Sequence, residues 1–159
     1  MTNPPQGDTG LLTHPVAEDL LASTELARLA YVAPDGTPRV LPMLFTWDGT
    51  DLVMATFGGA AKIRALKASP DVAVTIDTAG PPPHVLQLRG RVAVTDVEGL
   101  VPEYVRAHHR YYGPEQGAAN IAGLDQPGVR MARIALRPSW VGVLDFETRF
   151  PGALAGGTA

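Results

Sequence analysis

Seven short segments of the chain alternate apolar and polar residues with a period of two, and this alternation constrains the fold more than any other feature. A period of two is the pattern of a β-strand with one buried face. It predicts strands at residues 26–32, 39–47, 52–57, 72–77, 84–95, 129–136 and 140–146. Turn-forming residues such as Asp35-Gly36 and Asp48-Gly49 separate the first three, at the spacing of a meander of adjacent antiparallel strands.

Three helices are expected between or before the strands. One follows an N-cap at Thr13, a second covers Ala60 to Ala68, and a third covers about Val97 to Tyr111 with Asp96 as its cap. Residues 113–128 are predicted to form a long irregular connection, and Gly90 is expected at a bulge or bend. Residues 1–12 and 149–159 are predicted to be mobile tails, which leaves one domain at residues 13–148.

Strands with a single buried face must share one core. They favour a mainly β fold of the α+β class, in which the antiparallel sheet closes into a split β-barrel with a few short helices and leaves few exposed edges. A β-sandwich is the alternative.

The composition excludes several classes of function. Hydrophobic residues make up 45% of the 159-residue chain and charged residues 18%, which is typical of a folded domain. A net charge of −3 argues against nucleic acid or an acidic membrane as partner, and the absence of cysteine excludes thiolate chemistry. No signal peptide and no apolar run of ~18 residues is present, so we expect a cytoplasmic protein without a membrane segment.

The segment from Thr56 to Arg64 contains the clearest chemical signal. Gly58-Gly59 lets the backbone turn and approach a ligand closely, and a helix follows at once. A helix start carries unpaired N–H groups and a partial positive charge, yet Lys62 and Arg64 add two cations there. A bound phosphate or carboxylate would resolve this conflict, and ordinary solvated surface cations are the alternative.

Other positions are chemically ambiguous. Pro42 lacks a backbone N–H, so its strand is either an ordinary edge or a place where a flat ring lies against free backbone. Gln87 shares a strand face with two arginines, which fits solvent, a polar cleft or a subunit interface. Trp140 fits the core, an interface or a stacking platform. His108 and His109 point about 100° apart on a helix, so no metal site is expected.

Several of these motifs occur together within residues 16–146. They are Leu29-Ala30-Tyr31-Val32, Pro42-Met43-Leu44-Phe45-Thr46-Trp47-Asp48-Gly49, Lys62-Ile63-Arg64-Ala65-Leu66, Ser69-Pro70-Asp71-Val72-Ala73, Leu88-Arg89-Gly90-Arg91-Val92 and Arg133-Ile134-Ala135-Leu136-Arg137-Pro138. In combination they resemble the pyridoxamine-phosphate-oxidase-like split β-barrel family. The resemblance implies a homodimer with flavin mononucleotide (FMN) or the deazaflavin coenzyme F420 bound between the subunits.

The resemblance also assigns site residues. It implies that the ring lies against Leu41, Pro42 and Met43 and near Gln87 and Trp140. It also implies that the phosphate lies near Thr56, Ala61, Lys62 and Arg64, with Ala55 as a further cofactor contact. The chain departs from the family at Ala60, Ala61 and Ala65, where other members have polar or charged side chains, so fewer side-chain donors face the phosphate. The C-terminal substrate motif of true pyridoxamine-phosphate oxidases is missing, so that activity is not expected.

Two functions therefore follow as expectations. The first is an oxidoreductase that passes a hydride between the cofactor ring and a small organic substrate, with the cofactor supplying the reactive atom. The second is a non-catalytic protein that carries the cofactor, haem or another planar ligand. The residues do not distinguish FMN from F420, and they identify no catalytic group and no substrate.

Overall fold

The computed structural model describes residues 3–152, in which seven strands and four α-helices follow one 3₁₀ helix at Thr9–Thr13. The strands are β1 Ala27–Val32, β2 Pro38–Met43, β3 Thr46–Trp47, β4 Leu52–Phe57, β5 Asp71–Asp77, β6 Val85–Glu98 and β7 Arg130–Leu144. The helices are α1 Pro15–Ala22, α2 Ala61–Ala68, α3 Pro102–Tyr112 and α4 Pro114–Leu124. No helix among these residues is long and apolar enough to cross a bilayer.

All neighbouring strands are antiparallel, in the order β2-β1-β5-β6-β7-β4-β3. This confirms the predicted α+β split-barrel class. Both predicted hairpins form, β1 with β2 and β3 with β4. The predicted strand 39–47, however, divides into β2 and β3, which lie at opposite edges of the sheet because β5, β6 and β7 lie between β1 and β4. The ladder between β3 and β4 ends at Thr46 opposite Val53, and β2 turns away to pair with β1 alone. The short link through the fully buried Phe45 therefore joins β2 and β3, the two edge strands of the sheet, which do not pair with each other.

The alternation of side chains fills the barrel as the sequence predicts. On β6, Leu86, Leu88 and Val92 are buried while Arg89 and Arg91 are exposed. Burial of such side chains contributes roughly 1.5–3 kcal/mol each. The main core cluster draws on α1, α2 and every strand; its largest fully buried members are Leu11, Leu29, Phe45, Leu52, Met54, Leu66, Ile76, Leu86, Leu88, Ile134 and Leu136.

The chain between β6 and β7 differs from the prediction. Asp96 does not cap a helix: it lies on β6, which continues to Glu98 because its ladder with β7 is unbroken there. Helix α3 begins only at Pro102, after an N-cap at Val101. The predicted irregular connection contains α4. Gly117 lets α4 pack closely on α3, since a Cβ at Gly117 would lie 2.8 Å from the carbonyl oxygen of His108.

The last two predicted strands form one continuous strand. Trp140 lies opposite Arg89 and Pro138 lies opposite Gly90, so Ser139 is an extra residue in β7 and forms a bulge at the expected position. Gly90 is required there, because a Cβ would lie 2.2 Å from the carbonyl oxygen of Arg137.

The N-terminal segment packs on β7. The Gly7 N–H donates to the Val141 carbonyl at 2.8 Å, and the Gln6 amide makes two hydrogen bonds with the backbone of Val143 at 2.7 and 2.9 Å. The cap of α1 is His14, whose Nδ1 accepts from Val16 N, rather than Thr13. The Gly- and Pro-containing composition of this segment gives no sign of these contacts.

A tight turn follows β7. The Asp145 carboxylate is buried and accepts hydrogen bonds from the backbone N–H groups of residues 147, 148 and 149 and from the Thr148 hydroxyl. Arg149 is buried too and donates to the Pro4 carbonyl at 3.0 Å, which joins the two ends of the described chain. Residues 1–2 and 153–159 of the predicted tails lie outside the described residues.

Candidate functional site

The start of α2 is an open helix N-terminus. Strand β4 ends at Phe57, Gly59 adopts a left-handed φ of 83°, and Ala60 is the N-cap without a side-chain hydrogen bond. The first turn contains no acidic residue. The backbone N–H groups of this turn therefore point outward without a side-chain acceptor, which is the arrangement that binds anions.

Two cations lie on this first turn. Lys62 is half-buried and Arg64 is exposed, and neither lies within 4.0 Å of a carboxylate in residues 3–152. Burial lowers the pKa of the Lys62 ammonium below its usual value. A desolvated cation beside the positive end of a helix is unfavourable, and a bound anion would remove the penalty.

A third cation, Arg130, lies beside this opening, and no motif in the sequence indicates it. Two cavities of about 350 and 430 Å³ meet at Gly59 and Asp96; Arg64 lines the first and Arg130 the second. The Gly58 N–H donates to the Arg130 carbonyl at 2.8 Å, which holds the start of β7 against the glycine turn. Only the pairing of β4 with β7 brings Arg130 here, and sequence spacing does not show that pairing.

Thr56 and Asp96 lie on the same side of the sheet as this opening. Both pair with Ala132, Thr56 from β4 and Asp96 from β6, so the three side chains form one cross-strand row. Lys67 pairs with Asp96 at 2.9 Å and offsets its charge. Thr56 is half-buried at the end of β4, on this same face. Four cations, Lys62, Arg64, Lys67 and Arg130, outnumber two carboxylates, Asp96 and Glu98, at this end of the sheet, so the local charge favours an anion.

The predicted ring contacts lie on the other side of the sheet. Pro42, Arg28, Thr75, Gln87 and Gly142 pair in succession and form a row on the outer face. Leu41 and Met43 alternate with Pro42 and point toward the core, where Met43 is buried. Of the three predicted contacts on β2, only Pro42 shares a face with Gln87.

Trp140 lies in the neighbouring outer row and is not a free platform. The Arg89 guanidinium stacks 3.9 Å from the centre of its ring. The backbone of two glycines meets the same ring: a Cβ at Gly142 would lie 2.6 Å from a ring carbon, and a Cβ at Gly7 would lie 2.7 Å from Nε1. The indole therefore packs the N-terminal segment onto the sheet.

The expected site residues consequently form two groups within one chain. Thr56, Ala61, Lys62 and Arg64 come together, whereas Gln87 lies nine residues before Asp96 on β6, or roughly 30 Å of extended strand, and on the opposite face. The side chain of Ala55 packs with Val101 and Met131, on the face of β4 opposite Thr56. Within one chain, Gln87 therefore lies on the face of β6 opposite the opening at α2 and at the other end of the strand.

A second buried cluster lies under α3. Glu103 accepts from Arg133 at 2.8 and 2.9 Å, and although burial raises its pKa, these bonds lower it overall. His108 is buried between Tyr104 and Tyr112, with ring centres 4.5 and 5.3 Å away, and neither of its nitrogens has a partner in the described part of the chain. Burial lowers the pKa of His108, so it is held neutral.

Comparison with known proteins gives the family. The family model for pyridoxamine 5'-phosphate oxidase matches residues 13–137. A solved structure titled "F420 Reductase" is 31% identical, with a TM-score of 0.61 over 79% of this chain and 94% of that chain. No curated protein matches the chain.

Two further structures show the same fold at lower identity. A conserved hypothetical protein from Mycobacterium tuberculosis is 15% identical, with a TM-score of 0.67 over 92% of this chain and 91% of that one. A heme binding protein from Mycobacterium smegmatis is 19% identical, with a TM-score of 0.59 over 84% of this chain and 54% of that one. The family match, the 31% identical structure and the split barrel agree: the chain belongs to the pyridoxamine 5'-phosphate oxidase family.

Proposed function

We propose that this protein is an oxidoreductase that binds the phosphate of a flavin-type cofactor at the start of α2. The uncapped helix N-terminus, with Lys62 and Arg64 in a first turn that contains no acidic residue, carries this proposal. Among flavin-type cofactors we favour F420 over FMN, because the 31% identical relative is named as an F420 reductase and this chain spans 94% of it. The predicted cytoplasmic location stays a prediction.

The residues at the site fit a phosphate. The N–H groups of the first turn of α2 would donate to phosphate oxygens, and Gly58-Gly59 would allow the close approach of the backbone. Lys62, Arg64 and Arg130 would offset the charge, and the Thr56 hydroxyl would add a donor. When bound, the cofactor would supply the ring atom that exchanges a hydride with the substrate. The chain itself would orient the cofactor and exclude water.

A second copy of the chain would complete the site. Gln87 and Thr56 lie on opposite faces of the sheet, so ring contacts from Gln87 must reach a cofactor held by another subunit. The outer face of the β1–β2 hairpin supports a homodimer, since it exposes Val32 at 39% and Val40 at 69%. Apolar residues clustered in this way mark an interaction surface.

Cofactor titration tests the proposal. The purified protein is titrated with F420 and with FMN, and binding is read from the fluorescence of each cofactor. We expect saturable binding of F420, weaker binding of FMN, and turnover of the loaded protein with an electron acceptor. A protein that is colourless as purified and binds neither cofactor refutes the proposal. Tight binding without reduction of any acceptor would instead support the cofactor-carrier alternative.

The dimer is tested separately. Val40→Glu places a charge in the apolar outer face, and we expect the dimer dissociation constant to rise at least tenfold, which is about 1.4 kcal/mol. Light scattering behind size exclusion measures it. Ala122→Glu, on the exposed side of α4, is the matched control and should leave the dimer intact. A wild-type monomer at high concentration would contradict the shared site.

A further inference from the structure

A cleft of about 630 Å³ opens between α1, β3 and the end of α3, apart from the site at α2. It is lined by Leu12, Thr13, Glu18, Leu21, Ala22, Trp47, Gly49 and Arg110. Trp47 pairs with Leu52 at the beginning of β4, whereas the cofactor site follows Phe57 at the end of the same strand. The cleft and the proposed cofactor site therefore lie at opposite ends of β4 and share no lining residue.

Arg110 provides a fixed cation in this cleft. One of its terminal nitrogens donates to the Phe45 carbonyl at 2.5 Å. Its guanidinium lies 4.7 Å from the ring centre of Phe45 and 5.0 Å from that of Tyr111. The Tyr111 hydroxyl in turn donates to the Glu25 carbonyl at 2.7 Å. These contacts hold the guanidinium in place before any ligand arrives, which lowers the entropy cost of binding.

Within the described part of the chain, the same guanidinium has no counterion. No carboxylate in residues 3–152 lies within 4.0 Å of Arg110, and its Nε is buried without an acceptor. Arginine stays charged at all relevant pH values and presents its donors in a planar fork that matches a carboxylate. The Nε is out of reach of a ligand and one terminal nitrogen donates to Phe45, so the other terminal nitrogen, which makes no hydrogen bond within residues 3–152, would donate to an incoming carboxylate.

The other residues that line the cleft determine which kind of molecule could carry the carboxylate. Leu12 and Trp47 are half-buried and Leu21 is buried, so they offer an apolar surface beside the cation. Glu18, on α1, is the one acidic residue among those that line the cleft, and it is exposed at the rim. A second negative charge on the ligand would meet this carboxylate and be repelled.

We propose that this cleft is a binding site for small monocarboxylates with a flat apolar body. The carboxylate pairs with Arg110, the apolar body packs on Trp47, Leu12 and Leu21, and Glu18 excludes dicarboxylates. The site is independent of the cofactor and needs one chain only.

Calorimetric titration of the full-length protein with 3-phenylpropionate tests this site. We expect binding in about the millimolar range, as suits a ligand of this size. The neutral 3-phenylpropanamide and the dicarboxylate phenylsuccinate should each bind at least tenfold more weakly. Equal binding of acid and amide, or no binding of the acid, would overturn the proposal.

Variants locate the binding. Arg110→Met keeps the apolar stem and should weaken 3-phenylpropionate at least tenfold, whereas Arg106→Met, one turn earlier on the exposed side of α3, should change nothing. Ala22→Phe fills the cleft from an exposed position and should abolish binding. It provides an independent test if Arg110→Met fails to fold. Glu18→Gln should restore phenylsuccinate to within threefold of the monocarboxylate. Unchanged binding in Arg110→Met and Ala22→Phe would place the ligand elsewhere.

Discussion

Replacing Lys62 by methionine separates a ligand-binding cation from an ordinary surface charge. No carboxylate of residues 3–152 lies within 4.0 Å of Lys62, which is half-buried beside the positive end of α2. Removing its charge should therefore raise the free energy of unfolding by about 0.3–1 kcal/mol. A solvent-exposed lysine would leave stability unchanged.

The same change should weaken the cofactor. A charge-assisted hydrogen bond contributes about 1.5–3 kcal/mol, and the partial exposure of Lys62 places it near the lower limit, so we expect about a tenfold rise in the dissociation constant. Fluorescence titration measures the affinity, and chemical denaturation without cofactor measures the stability. The two effects should have opposite signs.

The control for Lys62→Met is Arg106→Met, which removes the same charge from an exposed position on α3. It should change neither quantity by more than about 0.5 kcal/mol. An unchanged affinity in Lys62→Met would remove this residue from the site. A fall in both affinity and stability would mean that Lys62 supports the fold, and our account of α2 would be refuted.

Three further predictions concern the fold. Gly90→Ala should lower the unfolding free energy by about 1–3 kcal/mol or more, because its Cβ would lie 2.2 Å from the Arg137 carbonyl oxygen; thermal unfolding measures this, and a change below 0.5 kcal/mol contradicts the bulge geometry. Asp145→Asn should cost about 1–3 kcal/mol at neutral pH. Burial raises the pKa of Asp145, but hydrogen bonds from Thr148 and the backbone hold this pKa well below its usual value. The wild type should therefore lose this stabilisation as the pH falls below the pKa of aspartate in the unfolded state, whereas the variant should not. His108→Phe should be more stable than the wild type below about pH 6.5, because His108 binds a proton in the unfolded state but stays neutral where it is buried in the folded state. If the two curves of stability against pH stay parallel from about pH 7 to 5, His108 is protonated equally in both states.

Local rules of sequence predict most strands of this fold. The alternation on β5 and β6 identifies the buried faces, and Gly58-Gly59 marks the end of β4 because only a glycine turn accommodates the left-handed Gly59. Pairing between distant strands is not local. The ladder with β7 keeps residues 96–98 in β6, which overrides the helix-capping preference of Asp96.

The candidate site also contains both residues that local sequence predicts and residues that only strand pairing brings into place. Lys62 and Arg64 are predictable because three or four residues of sequence are enough to place them on one helix turn. Arg130 is not, because it reaches the site only through the pairing of β4 with β7 across more than seventy residues of chain. The family resemblance implies a ring contact for Trp140, but the packing of Trp140 against Gly7 depends on an N-terminal segment whose composition is typical of a tail.

Two features of the chain contradict the rules that the rest of it follows. Helix α2 begins with cations and no cap, and the β1–β2 hairpin exposes Val40 and Val32 on its outer face. Local inconsistencies of this kind concentrate at functional surfaces. The proposed function resolves both by one event, since an anionic cofactor held between two copies would offset the charge on α2 while the dimer buried the apolar face. The two predictions are therefore coupled: Val40→Glu should weaken cofactor binding although Val40 is remote from α2, and Lys62→Met should weaken the dimer only when cofactor is present.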